Sequence, residues 1–466
     1  MGELAKASLR FSWAVSLFGV KQLMNALKPS DPNRPAHAAT AAFDSVTAAT
    51  EGQLEGFIRR TFKAGDSLQR GTVDLMFGGL TLQTFTPRGM MKMTFDLMQQ
   101  SAEAFKFLMP GQNSRVVWQE FKNKLQAFDL FEYVDAALHL SAGTDLPLTE
   151  SVGRAAALGS YRSVWATEGL GHYYAETCWD QRGTPRQLLS AEIVSGLPAR
   201  CLIPLHAGMG LSFANRILET ITPQSSLPEI REALRRFVAL CKDNAGVSYV
   251  GAVYESLGLA ARNLHPQMVP IIDRQLSEIN DTLVGYFWHG VGRAIYFAPT
   301  NFLPGGSAPW RGVEMTQREP AHETGRLNAL AGLAWALTLV NIRHPGILET
   351  LLKYHGHELS ASDAFRNGVT SALITWHDST EGDPYITALR QHQPDPADPV
   401  LVGLWNSLLK RPCEDALQRY YPVLKKHRCL GELFRYQSLT GLVEQLERQT
   451  RAGAESPSVV ENWPRS

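Results

Sequence analysis

The chain has 466 residues, with 45 basic and 45 acidic side chains, 44% hydrophobic residues and 19% charged ones. This is a globular composition, too apolar for intrinsic disorder. A formal net charge of zero, with no local basic run, argues against a nucleic-acid partner, because phosphate affinity needs a positive face.

Leu9, Trp13, Leu17, Val20, Met24 and Leu27 recur at three- and four-residue steps, which predicts an amphipathic helix over 9–27. The uncharged run from Phe11 to Val20 ends at Lys21. It is too short to span a bilayer, which needs about 20 residues, and no small-x-small cleavage site follows it. We expect this helix to dock on the protein's own core in a cytoplasmic chain, with peripheral contact to a membrane or lipid surface as the alternative. The prolines of PSDPNRP (29–35) end the segment, so residues 1–35 read as an amphipathic N-terminal arm.

Residues 36–145 read as a helical N-terminal domain, a bundle. Met91, Phe95, Met98, Ala102, Phe105 and Met109 step by three and four, and six of the eleven methionines lie between Met76 and Met109. Met and Phe together make an adaptable apolar face suited to bundle packing, self-association or lipid-like surfaces. The layout loosely resembles the phasins, granule-coating helical proteins.

Residues 146–395 are notched by glycine. EGLGHYYAE (168–176), HGVGRAIYF (289–297) and NGVTSALIT (367–375) share one pattern, and HAGMGLSFA (206–214), ESLGLAAR (255–262) and LAGLAWAL (330–337) form an interleaved set. Gly169 to Gly290 is 121 residues and Gly208 to Gly332 is 124, which suggests an internal duplication. Glycine inside a helix costs roughly 1 kcal/mol relative to alanine, so paired glycines need a compensating reason. Close backbone approach between helices supplies one. The expected fold is therefore all-α: helical-hairpin repeats, an α-solenoid or α/α-toroid, with an N-terminal helical bundle. The G-x-G pairs lack a third glycine and a preceding strand, so they are not dinucleotide fingerprints. The run Leu327 to Ile342 is uncharged between Arg326 and Arg343. At 16 residues it fits a fully buried helix better than a membrane span.

The blocks LPARCLIPLHAGMGLSFANRI, YESLGLAAR, YFWHGVGRAIYFAP and NALAGLAWALTLV resemble a bacterial family of unknown function associated with enediyne polyketide biosynthesis clusters. Gly290 to Phe297 matches that family's G-[VI]-G-R-[AS]-[LI]-[WYF]-F element, and the resemblance covers about residues 150–395. It implies a role in secondary-metabolite, polyketide or lipid-like biosynthesis. It implies no mechanism, since the family supplies no catalytic residues.

Candidate chemistry comes from the notch helices. Glu168, His172 and Glu176 fall at i, i+4 and i+8, and His289, Arg293 and Phe297 occupy the equivalent positions on the second notch. If both line one interior, Glu168, His172, His289 and Arg293 could do acid–base work or hold an anion. Glu176, His206, Tyr296, Phe297 and Trp335 are the candidate ligand-binding residues. A buried ion-pair network fixing the register of the repeats is the competing use. His355, His357 and Glu358 do not make a recognised ligand set, and Cys178, Cys201, Cys241, Cys413 and Cys429 form no CxxC pair, so neither metal nor cofactor is expected. The segment AIYFAPTNFLPGGSAPW (294–310) is uncharged apart from its flanks and could cover an apolar cavity. After QPDPADP, residues 396–450 read as C-terminal helices and 451–466 as a mobile tail.

The expected function is that of an accessory protein of secondary-metabolite biosynthesis that binds a hydrophobic small molecule or a biosynthetic partner protein. An unassigned enzyme with an interior acid–base cluster is the first alternative, and a phasin-like surface-coating protein is the second.

Overall fold

A computed structural model describes residues 112–132, 134–140, 147–298, 311–380 and 382–451. The arm with its helix over 9–27, the Met/Phe-rich face, the segment after Ala298 and the tail beyond Arg451 lie outside the described residues. The described residues belong to one compact unit that begins at Gly111. They form helices and turns, with no strand among them, and the chain is all-α.

The longer helices are α1 (Gln112–Glu132), α2 (Leu148–Ala156), α3 (Ser160–Arg182), α4 (Leu202–Leu218), α5 (Leu227–Asn244), α6 (Val250–Leu264) and α7 (Val269–Ile279). They continue with α8 (Asp281–Phe297), α9 (Arg311–Arg318), α10 (Glu323–Asn341), α11 (Pro345–Leu359) and α12 (Ala364–Ser379). Local chemistry sets their ends. Ser226 and Glu229 form a reciprocal capping box at the start of α5. Asn280 accepts from the Thr282 N–H to open α8, and His322 accepts from the Gly325 N–H to open α10. Pattern sets their faces. In α5 the buried residues Ile230, Ala233, Leu234, Phe237 and Cys241 recur at helical spacing, while Glu232, Arg235 and Arg236 face outward. In α10 every residue from Asn328 to Ile342 is buried. This is the fully buried helix that the uncharged run calls for.

Six glycine-bearing helices pack in series: α3 on α4, α4 on α6, α6 on α8, α8 on α10 and α10 on α12. The glycines are the crossing points. A Cβ on Gly208 would collide with the Glu168 carbonyl, and one on Gly258 with that of Phe287. Gly290 meets the Glu255 carbonyl, Gly292 that of Ala329, and Gly332 that of His289. Within a G-x-G pair the two members serve different neighbours: Gly290 nests against α6 and Gly292 against α10. Missing side chains thus let backbones touch on both sides of one helix.

The series turns as it proceeds. Helices α8 and α10 run parallel, for Trp288, midway along α8, lies by His322 at the start of α10, with ring centroids 6.2 Å apart, and Asn341 donates to the Tyr296 hydroxyl at the ends of both, 2.7 Å. Yet Tyr161, at the start of α3, donates to the Val340 carbonyl at the end of α10, 2.8 Å. Its ring also lies 6.0 Å from that of Trp376, late in α12. Helix α3 is therefore antiparallel to α10 although four successive steps separate them. Four crossings of about 50° each, the commonest packing class, add up to such a reversal. The row also curls, because Arg293 of α8 reaches Glu168 of α3.

Helix α1 packs on α3, α10 and α11. Beyond α12, α13 (Pro384–Gln391) and α14 (Pro399–Trp405) lead into two π-helical turns at Asn406–Lys410 and Ala416–Tyr420, then a 3-10 turn at Leu430–Phe434 and α15 (Leu439–Arg451). The 3-10 turn touches α6, α8 and α12, where the Tyr286 hydroxyl donates to Glu432, 3.0 Å. Among the described residues no helix is long and apolar enough to cross a membrane.

Candidate functional site

The interior of the curled row holds a charged network. Arg293 donates through Nη2 to Glu168 Oε1, 2.8 Å, and through Nη1 to Glu255 Oε2, 2.7 Å. The other oxygen of Glu255 accepts from His289 Nδ1, 2.7 Å. Helices α3, α6 and α8 are joined by these three contacts, all at the level of the glycine crossings. Glu255 and His289 are 0% exposed and Arg293 is 3% exposed. A bidentate guanidinium between two carboxylates is the strong form of ion pairing.

The electrostatics follow from this enclosure. Burial opposes the charge on Glu255, but Arg293 and His289 outweigh it and hold the carboxyl below its usual range. Burial likewise opposes the charge on Arg293, and Glu255 and Glu168 together more than offset it, so that its pKa is raised. Two carboxylates face one guanidinium, so the group carries one net negative charge when the imidazole is neutral.

Aromatic rings wall the network on its other side. The guanidinium carbon of Arg293 sits 4.4 Å from the ring centroid of Trp335, a desolvated cation–π contact. The His289 ring lies 6.3 Å from Trp335 and 6.4 Å from Phe434, and these two rings are 5.8 Å apart. Three polar atoms of this centre are buried with no hydrogen-bond partner: His289 Nε2, Arg293 Nε and Trp335 Nε1. Because Nδ1 donates to Glu255, a neutral His289 presents Nε2 as a bare acceptor, and the Trp335 indole presents a bare donor.

Of the predicted catalytic residues, Glu168, His289 and Arg293 meet in this network. His172 is half-buried with its ring 5.6 Å from that of Phe131 on α1. Glu255 is the member that the sequence reading missed. It is a lone charge in the otherwise uncharged run Val250 to Ala261, which is the signal that could have found it.

The predicted ligand-binding residues scatter. Trp335 belongs to the centre. Glu176 accepts from Ser212, 2.7 Å, and from Arg216, 2.6 Å, joining the later halves of α3 and α4. Tyr296 lies a turn beyond Arg293 in a second buried polar group. There Asn123 donates to Asn341, 3.0 Å, and Lys124 Nζ sits 4.0 Å from the Tyr296 ring and 3.3 Å from Glu120. Burial lowers the Lys124 pKa while Glu120 opposes that shift. Phe297 is half-buried, 5.2 Å from Tyr296.

His206 has a structural role. Its Nδ1 donates to the Leu202 carbonyl, 2.6 Å, and its Nε2 accepts from the Gly246 N–H, 3.0 Å. The neutral ring thereby ties α4 to the turn before α6. Burial lowers its pKa from 6.5 to about 4, against a small rise from the Leu202 carbonyl. The unfolded chain therefore binds this proton more readily than the fold does. The stabilisation is complete above pH 6.5 and drains away as pH falls toward 4, by about 3 kcal/mol in all. Urea unfolding of the wild type at pH 7 and pH 4.5 should show this loss. His206→Gln, which keeps an acceptor for Gly246 and cannot titrate, should flatten it.

Among the described residues no group of three or more His, Cys, Asp or Glu side chains is placed to hold a metal ion. His355 is 3.2 Å from Glu358, and the five cysteines are free thiols, four of them buried. None of the protein-family models, curated proteins or solved structures compared with this chain matches it.

Proposed function

We propose that the chain is a binding protein for a hydrophobic small molecule that carries a hydroxyl group, held inside the curled row of helices. The observation that carries this reading is the trio of buried atoms without partners, His289 Nε2, Arg293 Nε and Trp335 Nε1, in an aromatic-walled centre. A buried polar atom left unpaired costs about 1 to 3 kcal/mol, and a ligand hydroxyl removes two such costs together. It donates to His289 Nε2 and accepts from the Trp335 indole N–H. Trp335 and Phe434 supply the apolar walls such pockets need. The resemblance of the glycine-notched blocks to a family associated with enediyne polyketide clusters supports a ligand of the polyketide or lipid-like kind, and an accessory role in its biosynthesis.

A second reading is favoured by one contact. The Glu255–His289 pair is an imidazole oriented by a carboxylate with its distal nitrogen unused, the arrangement of a general base. The same centre would then turn over the molecule it holds.

Native mass spectrometry of the protein purified from its own host tests both. The wild type should carry a bound small molecule, and His289→Phe and Trp335→Phe, which keep an aromatic ring but remove its nitrogen, should lower its occupancy at least about tenfold. Glu255→Gln separates the readings: a binding protein keeps its ligand unchanged, whereas an enzyme accumulates the unconverted form. A wild-type protein that carries nothing overturns the proposal.

A further inference from the structure

The interior continues past the charged network. Helices α3 and α10 are antiparallel, so stepping from Glu168 back to Trp165 and Tyr161 runs the same way as stepping from Trp335 on to Thr338 and Asn341. Each step is one helical turn, about 5.4 Å. On α12, Gly368 meets the Ala331 carbonyl and the Ala334 side chain of α10, and Ser371 and Thr375 follow it at i+3 and i+7, on the same stripe. Two helices that touch at a glycine and cross at an angle diverge beyond the contact. We take the positions that follow the contact, Thr338 on α10 and Ser371 and Thr375 on α12, as that wedge. Further along, Tyr161 touches both helices through Val340 and Trp376, and the Trp165 ring lies 6.1 Å from that of Tyr161.

The hydroxyls of this wedge are buried, Thr338 and Ser371 at 0% exposure and Thr375 at 3%, and none has a hydrogen-bond partner. Serine and threonine in helices usually bond back to the carbonyl four residues earlier, as Thr370 does to Arg366, 2.8 Å, and Thr380 to Trp376, 2.6 Å. These three do not. An apolar interface of the same shape would accept Val and Ala here with no unpaired oxygen.

We propose that this wedge is a second subsite of the same interior, built to hold a second, uncharged oxygen of the ligand one to two turns away from the hydroxyl bound by His289 and Trp335. The inference rests on the binding reading above and narrows it. The ligand is an elongated, neutral hydrocarbon oxygenated at two separated positions, since hydroxyls recognise carbonyl and alcohol oxygens and supply no counter-charge. The level of Trp335 and the level of Thr338 are continuous along α10, so one molecule occupies both.

The probes are 1,8-octanediol, 1-octanol and n-octane, titrated into the full chain and followed by tryptophan fluorescence and thermal shift. The wild type should bind the diol about tenfold more tightly than the mono-alcohol, and the mono-alcohol more tightly than the alkane. In Thr338→Val/Ser371→Ala/Thr375→Val the diol should fall to the affinity of 1-octanol, with 1-octanol binding unchanged. Thr338→Ser alone, which retains the hydroxyl in a smaller side chain, should keep the preference for the diol. The ligand-free triple variant should melt no lower than the wild type, because it removes only unpaired groups. This melt also establishes that the variant is folded. If 1-octanol binds better than n-octane but the diol gains nothing over it, or the triple variant keeps the diol preference, the second subsite is wrong and the binding reading stands. Equal or absent binding of all three probes overturns both.

Discussion

Gly290→Ala is expected to cost about 3 kcal/mol or more, and Gly153→Ala to gain about 0.5 to 1 kcal/mol. Both glycines lie inside helices, and both substitutions improve helix propensity and reduce the freedom of the unfolded chain. They differ in what a methyl group meets. At Gly153 on α2 nothing lies within 4 Å. At Gly290 the methyl would overlap the Glu255 carbonyl and press on the Leu259 amide of α6. Backbone atoms in the middle of a buried helix cannot swing aside as a side chain can, so α6 and α8 must separate. Separation would also pull Glu255 from Arg293 and His289. Chemical denaturation of the two variants checks the pair, and equal effects at the two positions would remove the claim that glycine is present for helix contact.

Arg293→Met is expected to cost about 3 to 5 kcal/mol at neutral pH, the range for breaking a buried pair by deleting one partner. Glu168 and Glu255 would be left as two carboxylates in an enclosure without their cation. The pH dependence should change sign. In the wild type Glu255 is held below its usual range, so its contribution is complete above the unfolded carboxyl value, about 4.3, and is lost as pH falls through the lower folded value. In Arg293→Met burial acts on Glu255 without the guanidinium, and its pKa rises above the unfolded one. Stability is then greatest in acid and declines as pH rises through the raised value. Urea midpoints at pH 5, 6, 7 and 8 decide it. A variant with the same slope as the wild type would show that the pair is not what holds α3, α6 and α8 together. Replacing Glu168, Glu255 and Arg293 together with apolar residues should recover much of the loss, because a buried ion cluster is weak as a source of net stability.

The helical class and the glycine contacts were legible because both leave local marks. A three-to-four-residue rhythm can be read in any window of one helix, and two glycines flanking one residue cost too much to be idle. Glu168, His289 and Arg293 were found for the same reason, each standing beside such a notch. Glu176 misled because i+8 is about 12 Å along the axis and roughly 80° round from Glu168, which carries it out of the centre and onto Arg216. Glu255 was hidden by its own block, where ESLGLAAR was read for its glycine rather than for a charge buried among apolar neighbours. Phe434 and the Lys124–Tyr296 group could not be reached by spacing at all. Their partners are 99 residues away for Trp335 and 172 for Lys124, and only the path of the whole row brings them together.

The 3-10 turn at Leu430–Phe434 has a consequence for how the molecule is made. Phe434 is the last wall of the centre, and Gly431 is the backbone against which Gly251 of α6 rests. Both emerge from the ribosome long after the helices they complete. A nascent chain can stack its six glycine helices as they appear, yet the His289 and Trp335 rings lack their Phe434 neighbour until residues 430–434 follow. Closure of the aromatic centre is therefore a late event in the synthesis of the row, and it waits on one short turn.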